Sequence, residues 1–242
     1  MNKESMNISP MRSEEPTYQF TKQHIFISGS LATGKTSVMK WLNEYLRERD
    51  DVSFIKEYID FDVDGEKYLE RLYHGEISNY QFQLYVLSCY EKQLNTLDFE
   101  EADVIVWERH PLEALNIFCK DDTTLTEKER SIIMLKIESM CDKYKIPKLF
   151  EKNINYIHID TIFFGIEQIS YFILSEIIYQ MLLGEYVNDV FILLFCSNNQ
   201  EQLNRILRRE RTIELDMYKT KDDLLKINNK YFEFYLRRKD SK

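Results

Sequence analysis

A chain of 242 residues has room for one α/β domain, or for one domain carrying a sizeable insertion. Its 44% hydrophobic content is enough for a real core, and only six glycines and four prolines favour long helices over an all-β design. The net charge of −9 excludes a general nucleic-acid binder, whose footprint is basic, so any anion site has to be built locally from clustered cations or backbone amides.

Residues 1–20 are polar, include Pro10 and Pro16 and show no periodicity, which predicts a mobile tail ahead of a single domain over 21–242. The N-terminus has no apolar run of signal-peptide type. Cys89, Cys119, Cys141 and Cys196 lack metal-ligand spacing and read as reduced thiols of a cytoplasmic protein. Residues 24–28 (HIFIS) form a first β-rich run, followed by a helix over 36–49 with Val38, Leu42, Tyr45 and Leu46 on one face. A second strand is expected at 52–57, helices at 66–73 and 80–97, a third strand at 103–107 (DVIVW) and a fourth at 189–196. Residues 120–188 read as mostly helical, with a short strand candidate at 155–159. The apolar stretch 161–183 is long enough to span a bilayer. It contains Glu167 and Glu176, however, and each charge near a bilayer centre costs ~2.5–3.5 kcal/mol, so a buried or interfacial helix is the better reading and no membrane partner is expected.

Strands alternating with helices predict a parallel sheet flanked by helices, with ligands outside the carboxyl ends of its strands. The loop after the first strand, Glu57 and Glu108 should therefore crowd one edge. That loop, Gly29-Ser30-Leu31-Ala32-Thr33-Gly34-Lys35-Thr36, matches G-x-x-x-x-G-K-[ST] at every specified position, between a strand and a helix. Gly29 and Gly34 permit backbone angles that turn consecutive N–H groups toward phosphate oxygens. Lys35 adds a mobile charge and Thr36 a hydroxyl for Mg²⁺. This much indicates a nucleoside triphosphate, not yet a kinase. Arg205, Arg208 and Arg209, at i, i+3 and i+4, would crowd one helix face unless an anion joins them or Glu201, Glu210 and Glu214 neutralise them.

Four motifs taken in order resemble the deoxyribonucleoside kinase family, which includes the herpesvirus-type thymidine kinases. They are the glycine loop with Glu57 after the second strand, Phe82-Gln83-Leu84-Tyr85 on a helix, Glu108-Arg109-His110-Pro111 after the third strand, and an arginine-rich lid containing Arg205, Arg209, Arg211 and Glu214. The match spans roughly residues 24–119 and 189–236. The resemblance implies a P-loop kinase fold with a parallel sheet of four or five strands, and ATP- and Mg²⁺-dependent phosphorylation of a deoxynucleoside 5′-hydroxyl. It implies Glu57 as the base, with Lys35 and Arg109 at the transferring phosphoryl group. Gly29, Ser30, Ala32, Thr33, Gly34, Lys35, Thr36 and Ser37, with Arg205, Arg209 and Arg211, would hold ATP phosphates. Thr36 and Glu108 would hold Mg²⁺. Gln83 would read the base, Phe118 would stack on it, and Ala114 would line its pocket as in thymidine-accepting members. Glu214 and Tyr73 would approach the sugar. A homodimer is a further expectation, with 161–183 at its interface.

The sequence departs from the family where Glu57-Tyr58-Ile59 replaces the usual Glu-Pro start, and where about 80 residues separate Glu108 from the fourth strand. This excess includes a helical insertion over 121–183. The usual fifth strand after the C-terminal helix is missing, so the sheet has four strands unless 155–159 supplies the fifth. Two rivals remain. A thymidylate kinase would need a basic residue for the acceptor phosphate, and residues 60–64 offer three acids and no base. A non-catalytic nucleotide switch is disfavoured by the intact set Lys35, Glu57, Glu108 and Arg109.

Overall fold

The computed structural model describes residues 22–149, 154–162, 189–209 and 211–236. Five strands, β1 (Gln23–Gly29), β2 (Val52–Ile55), β3 (Val104–Glu108), β4 (Asn155–Asp160) and β5 (Val190–Phe195), form one sheet in the order β2-β3-β1-β5-β4. All pairings are parallel. Such strands need both faces covered, which explains why β1, β3 and β5 are near-continuous apolar runs and almost wholly buried.

Alternation along these strands divides the core into two layers. Phe26, Ile105, Trp107, Phe191 and Leu193 face one way and pack with residues of α4 (Asn79–Leu94), the π-helical turn Ala114–Phe118, α6 (Glu127–Tyr144) and α9 (Lys221–Leu236). Ile25, Ile27, Val106, Ile192 and Leu194 face the other way, against Val38, Met39, Leu42 and Leu46, which belong to α1 (Lys35–Tyr45) and the residue that follows it. Tyr45 does not join this layer. It is 51% exposed and stacks on Trp41, because Val38, Leu42 and Leu46, four residues apart, already fill the seam.

Four elements finish the site edge: α2 (Tyr58–Phe61), α3 (Gly65–Tyr73), α7 (Asn199–Arg209) and α8 (Thr212–Met217), whereas α5 (Leu97–Glu101) sits at the opposite edge, where Lys22 Nζ, just ahead of β1, donates to the Phe99 carbonyl at 2.8 Å. Strand β2 stops at Ile55, two residues short of the expected end, and Glu57 becomes the extended residue that leads into α2. Of the two outcomes left open, a four-stranded sheet or a fifth strand from 155–159, the second holds: residues 155–160 supply the fifth strand. They pair with β5 from Asn155↔Val190 to Asp160↔Phe195 and occupy the sheet edge. Within the described part of the insertion, α6 buries Ile133, Ile137, Met140 and Cys141 in the α4-side layer, where it buttresses the helix carrying Gln83. The remainder of the apolar 161–183 stretch beyond Ile162 lies outside the described residues, as does the expected tail. Among the described residues no helix is long and apolar enough to cross a membrane. The four cysteines are buried and form no disulfide with one another.

Candidate active site

The phosphate loop leaves β1 through Gly29, at φ 146°, where a side chain is excluded: a Cβ would stand 2.1 Å from the Leu194 carbonyl oxygen and 2.8 Å from Thr33 Oγ1. Gly34 (φ 92°) and Ala32 (φ 55°) complete the left-handed turns that curl the loop before α1. Thr33 Oγ1 and Lys35 Nζ both donate to the Ser30 carbonyl oxygen at 2.9 Å, while Ser37 lies exposed on α1. A buried amide network that no sequence motif announced ties the loop to the C-terminal helices. Gln202 Nε2 donates to Ser30 Oγ (2.9 Å) and the Leu31 carbonyl (2.6 Å), and Asn228 Nδ2 donates to Gln202 Oε1 (2.9 Å).

Register carries Glu108 to the same edge, since Ile27 pairs with Glu108. Thr36 Oγ1 donates to Glu108 Oε1 at 2.9 Å and stands 3.5 Å from Asp60 Oδ2. Burial, reinforced by the Glu57 charge, pushes Glu108 up to about 7. Burial, then the Arg109 cation, pulls Lys35 down to about 8. Both shifts belong to a cluster whose charges are desolvated before any ligand arrives. These hard oxygen donors fit Mg²⁺, which binds through one or two carboxylates and completes its shell with water and substrate phosphates. Among the described residues no group of three or more His, Cys, Asp or Glu side chains could hold a metal by itself.

Arg109 follows β3 in the left-handed region, φ 72°, an unfavourable backbone for a residue with a Cβ. It is held there by its own N–H on the Ile27 carbonyl (3.0 Å) and by its guanidinium. Nε donates to Glu57 Oε1 and Nη1 to the Gly29 carbonyl, both at 2.8 Å. Burial pushes the Glu57 carboxyl up, but the charges of Arg109 and Lys35 and the Arg109 hydrogen bond outweigh it and leave Glu57 below its ordinary value. Glu57 is therefore an ionised carboxylate at neutral pH, beside the phosphate loop.

Both residues line a cavity of about 400 Å³ that opens from the loop toward α4 and the π-helical turn. Gln83, Tyr90, Ala114, Phe118 and Glu214 line it too. Gln83 is buried and gives Nε2 to Asn79 Oδ1 (3.0 Å), while Asn79 Nδ2 reaches the Phe118 carbonyl (3.1 Å). The π-helical register, closed by the Cys119 N–H on the Ala114 carbonyl (3.1 Å), widens the turn that carries Ala114 and Phe118. The Arg109 guanidinium lies 5.2 Å from the Phe118 ring centroid. Tyr73 is not brought to the cavity lining: it is exposed, with its ring against His74.

The lid arginines divide. Arg209 and Arg211 line the cavity and pair with Glu214, at 4.0 and 3.1 Å. Arg205 turns away to Glu201 (3.1 Å) and to Thr161 at the end of β4, and Arg208 is exposed near Glu201 (3.7 Å). The i, i+3, i+4 crowding is thus relieved mainly by Glu201. Two further contributors belong to none of the sequence motifs. Glu113 accepts from Arg109, and its i+4 spacing from Arg109 was a usable signal. Tyr231 also meets the Arg109 guanidinium, from 122 residues away, and nothing local announces that contact.

No curated protein matches the chain by sequence. By structure it is similar to deoxyadenosine kinase from M. mycoides with bound dATP, with TM-score 0.51, 19% identity, and 89% of this chain and 85% of that chain covered. The same enzyme with bound dCTP gives TM-score 0.49 and 19% identity over 89% and 84% of the two chains. The likeness at 0.51 supports the five-stranded P-loop kinase fold. The family model described as deoxynucleoside kinase matches residues 25–162, from β1 through the Glu108-Arg109 motif and α6 to β4, though not the lid. Since that match takes in more than half of the sequence, the chain belongs to the deoxynucleoside kinase family and is a nucleoside phosphotransferase.

Proposed function

We propose that the chain transfers the γ-phosphoryl group of ATP to the 5′-hydroxyl of a deoxynucleoside, with thymidine as the favoured acceptor. The observation carrying this reading is the Glu57–Arg109 pair at 2.8 Å, in the wall of a cavity that opens directly onto the phosphate loop. Phosphoryl transfer has a loose transition state, so catalysis consists mainly of positioning and charge neutralisation. Glu57, held ionised, orients the acceptor hydroxyl and takes its proton. Lys35, Arg109, Arg209 and Arg211 face the transferring group. The loop backbone from Gly29 to Ser37 holds the triphosphate. Mg²⁺, held by Thr36 and Glu108, would neutralise charge on the phosphates.

The acceptor lies against Phe118, with Gln83 reading its base edge and Glu214 near the sugar. Gln83 offers both a donor and an acceptor, as a base edge requires. Ala114 favours thymidine because it presents a methyl where a carboxylate would offer a partner to an exocyclic amine. The test is ATP-dependent transfer to a panel of thymidine, deoxycytidine, deoxyadenosine, deoxyguanosine, uridine and thymidine monophosphate. Fastest turnover with thymidine supports the proposal. Preference for deoxyadenosine would overturn the base assignment, and transfer to the monophosphate alone would make the enzyme a thymidylate kinase.

A further inference from the structure

Glu113 is 1% exposed and lies one turn beyond Arg109 in the chain, at the cavity wall. Its carboxylate collects donors from three parts of the fold. Oε1 accepts from Ser28 Oγ of β1, from the His110 N–H (3.1 Å) and from the Tyr235 hydroxyl (3.0 Å). Oε2 accepts from the Tyr231 hydroxyl (2.9 Å) and from Arg109 Nη1 (3.3 Å). Tyr231 and Tyr235, one turn apart on α9, bring the C-terminal helix to the same point, and Tyr231 also contacts Arg109 Nη1.

A buried carboxylate survives only with a charge partner and filled lone pairs, and among the described residues Arg109 is the cation within ion-pair reach of Glu113. The same contact constrains Arg109. Its guanidinium is planar, so fixing Nε on Glu57 and Nη1 on the Gly29 carbonyl, Glu113 and Tyr231 fixes the whole plane. Nη2 is the guanidinium nitrogen that makes no hydrogen bond to the described residues, and it is the donor pair left for a ligand. Arg109 is also the residue at φ 72°, so its backbone position depends on surrounding contacts.

We propose that Glu113, braced by Ser28, Tyr231 and Tyr235, is a positioning residue that sets the Arg109 guanidinium for phosphoryl transfer. This rests on the kinase reading above. It assigns a second carboxylate to Arg109: Glu57 meets the acceptor, whereas Glu113 acts only through the arginine.

The test compares Glu113→Gln, Tyr231→Phe, Arg109→Ala and the double variant Glu113→Gln/Arg109→Ala in the full chain. Readouts are kcat and KM for both substrates, the Kd of a non-hydrolysable ATP analogue, and urea midpoints. Glu113→Gln should lower kcat by ~10–100-fold while analogue affinity stays within about threefold, a loss of the size seen when the hydrogen-bond partner that orients a metal-ligating side chain is removed. In the Arg109→Ala background the same change should lower kcat no further, and its cost in urea midpoint should shrink or reverse, because the carboxylate has by then lost its charge partner. A merely structural glutamate would instead lower stability and leave kcat per folded molecule intact.

Full kcat in Glu113→Gln, or an equal kcat loss with and without Arg109, would overturn the assignment. Should Glu113→Gln fail to fold, Tyr231→Phe carries the test: it keeps the charge and should lower kcat with KM unchanged, and an unchanged kcat counts against the proposal. Absence of transfer by the wild-type chain would remove the kinase reading itself, an outcome distinct from any of these.

Discussion

Arg205 donates to both the carbonyl and the hydroxyl oxygen of Thr161, at 2.7 and 3.1 Å, which anchors α7 to the end of edge strand β4. Glu201 closes the third side of the same guanidinium. Arg205 thus moors α7 to the sheet, while Arg209 at its far end and Arg211, which leads into α8, stay beside the cavity.

That division predicts separable phenotypes. Arg205→Ala should cost about 1–3 kcal/mol of stability, the usual worth of hydrogen bonds from a charged donor, and leave kcat of the folded enzyme within a few-fold of wild type. Arg209→Ala and Arg211→Ala should lower kcat by ~10²–10³-fold, as expected for a donor aimed at developing charge, with a smaller loss of thermal midpoint than Arg205→Ala because in each variant the other arginine still pairs with Glu214. Steady-state kinetics and thermal unfolding on the same preparations separate the two. Equal kcat losses across all three would contradict the division.

Gly29→Ala should be severely destabilising. The added methyl would stand 2.1 Å from the Leu194 carbonyl oxygen, which belongs to the sheet backbone and has no room to move aside. The positive φ adds further strain, about 1–3 kcal/mol for an unfavourable backbone region. Loss of analogue binding together with a lowered urea midpoint is expected. A variant with wild-type stability would show that the loop relaxes in a way the sheet contact forbids.

Acid should weaken the fold through His24. Burial, then the nearby His110 and Lys22, pull this imidazole down to about 3 from its ordinary 6.5. Between those two values the unfolded chain binds a proton that the folded chain refuses, so stability falls as the pH drops below 6.5 and is untouched above it. At pH 5 the loss is about 2 kcal/mol, from 1.5 units at 1.36 kcal/mol each. His24 Nδ1 accepts from Trp107 Nε1 at 2.9 Å, and His24→Asn keeps an acceptor there while removing the titration. Urea midpoints at pH 7 and pH 5 should therefore converge in His24→Asn relative to wild type; an equal drop in both proteins would exclude His24 as the source.

The phosphate loop was legible in the sequence because its demands are local: two glycines at fixed spacing, a lysine, a hydroxyl, and a strand and helix on either side. The central strands were legible for a similar reason, since β1, β3 and β5 are buried on both faces and carry unbroken apolar runs. Glu57, Glu108 and Arg109 could be placed at one edge once those strands were drawn parallel. What escaped depends on partners far away in the chain. Asn228 meets Ser30 across 198 residues and Tyr231 meets Arg109 across 122, and neither asparagine nor tyrosine on a helix signals such a destination. The destination of Arg205 depends on β4, whose place beside β5 is decided by sheet assembly and not by its six residues. Tyr73 fell outside the cavity because α3 presents it to solvent.

In the proposed reaction Glu57 accepts the proton of an acceptor hydroxyl whose incoming phosphoryl group is held by Lys35 and Arg109. The most direct measurement is transfer of the γ-phosphoryl group from ATP to thymidine, followed by ³¹P NMR, in wild type, Glu57→Gln and Lys35→Ala. Formation of a 5′-monophosphate by wild type is expected, with a rate ~10²–10⁴-fold lower in Glu57→Gln while analogue affinity stays near wild type, the scale of a lost general base. Lys35→Ala should lose turnover and ATP affinity together. Product formation by Glu57→Gln at the wild-type rate would exclude Glu57 as the base.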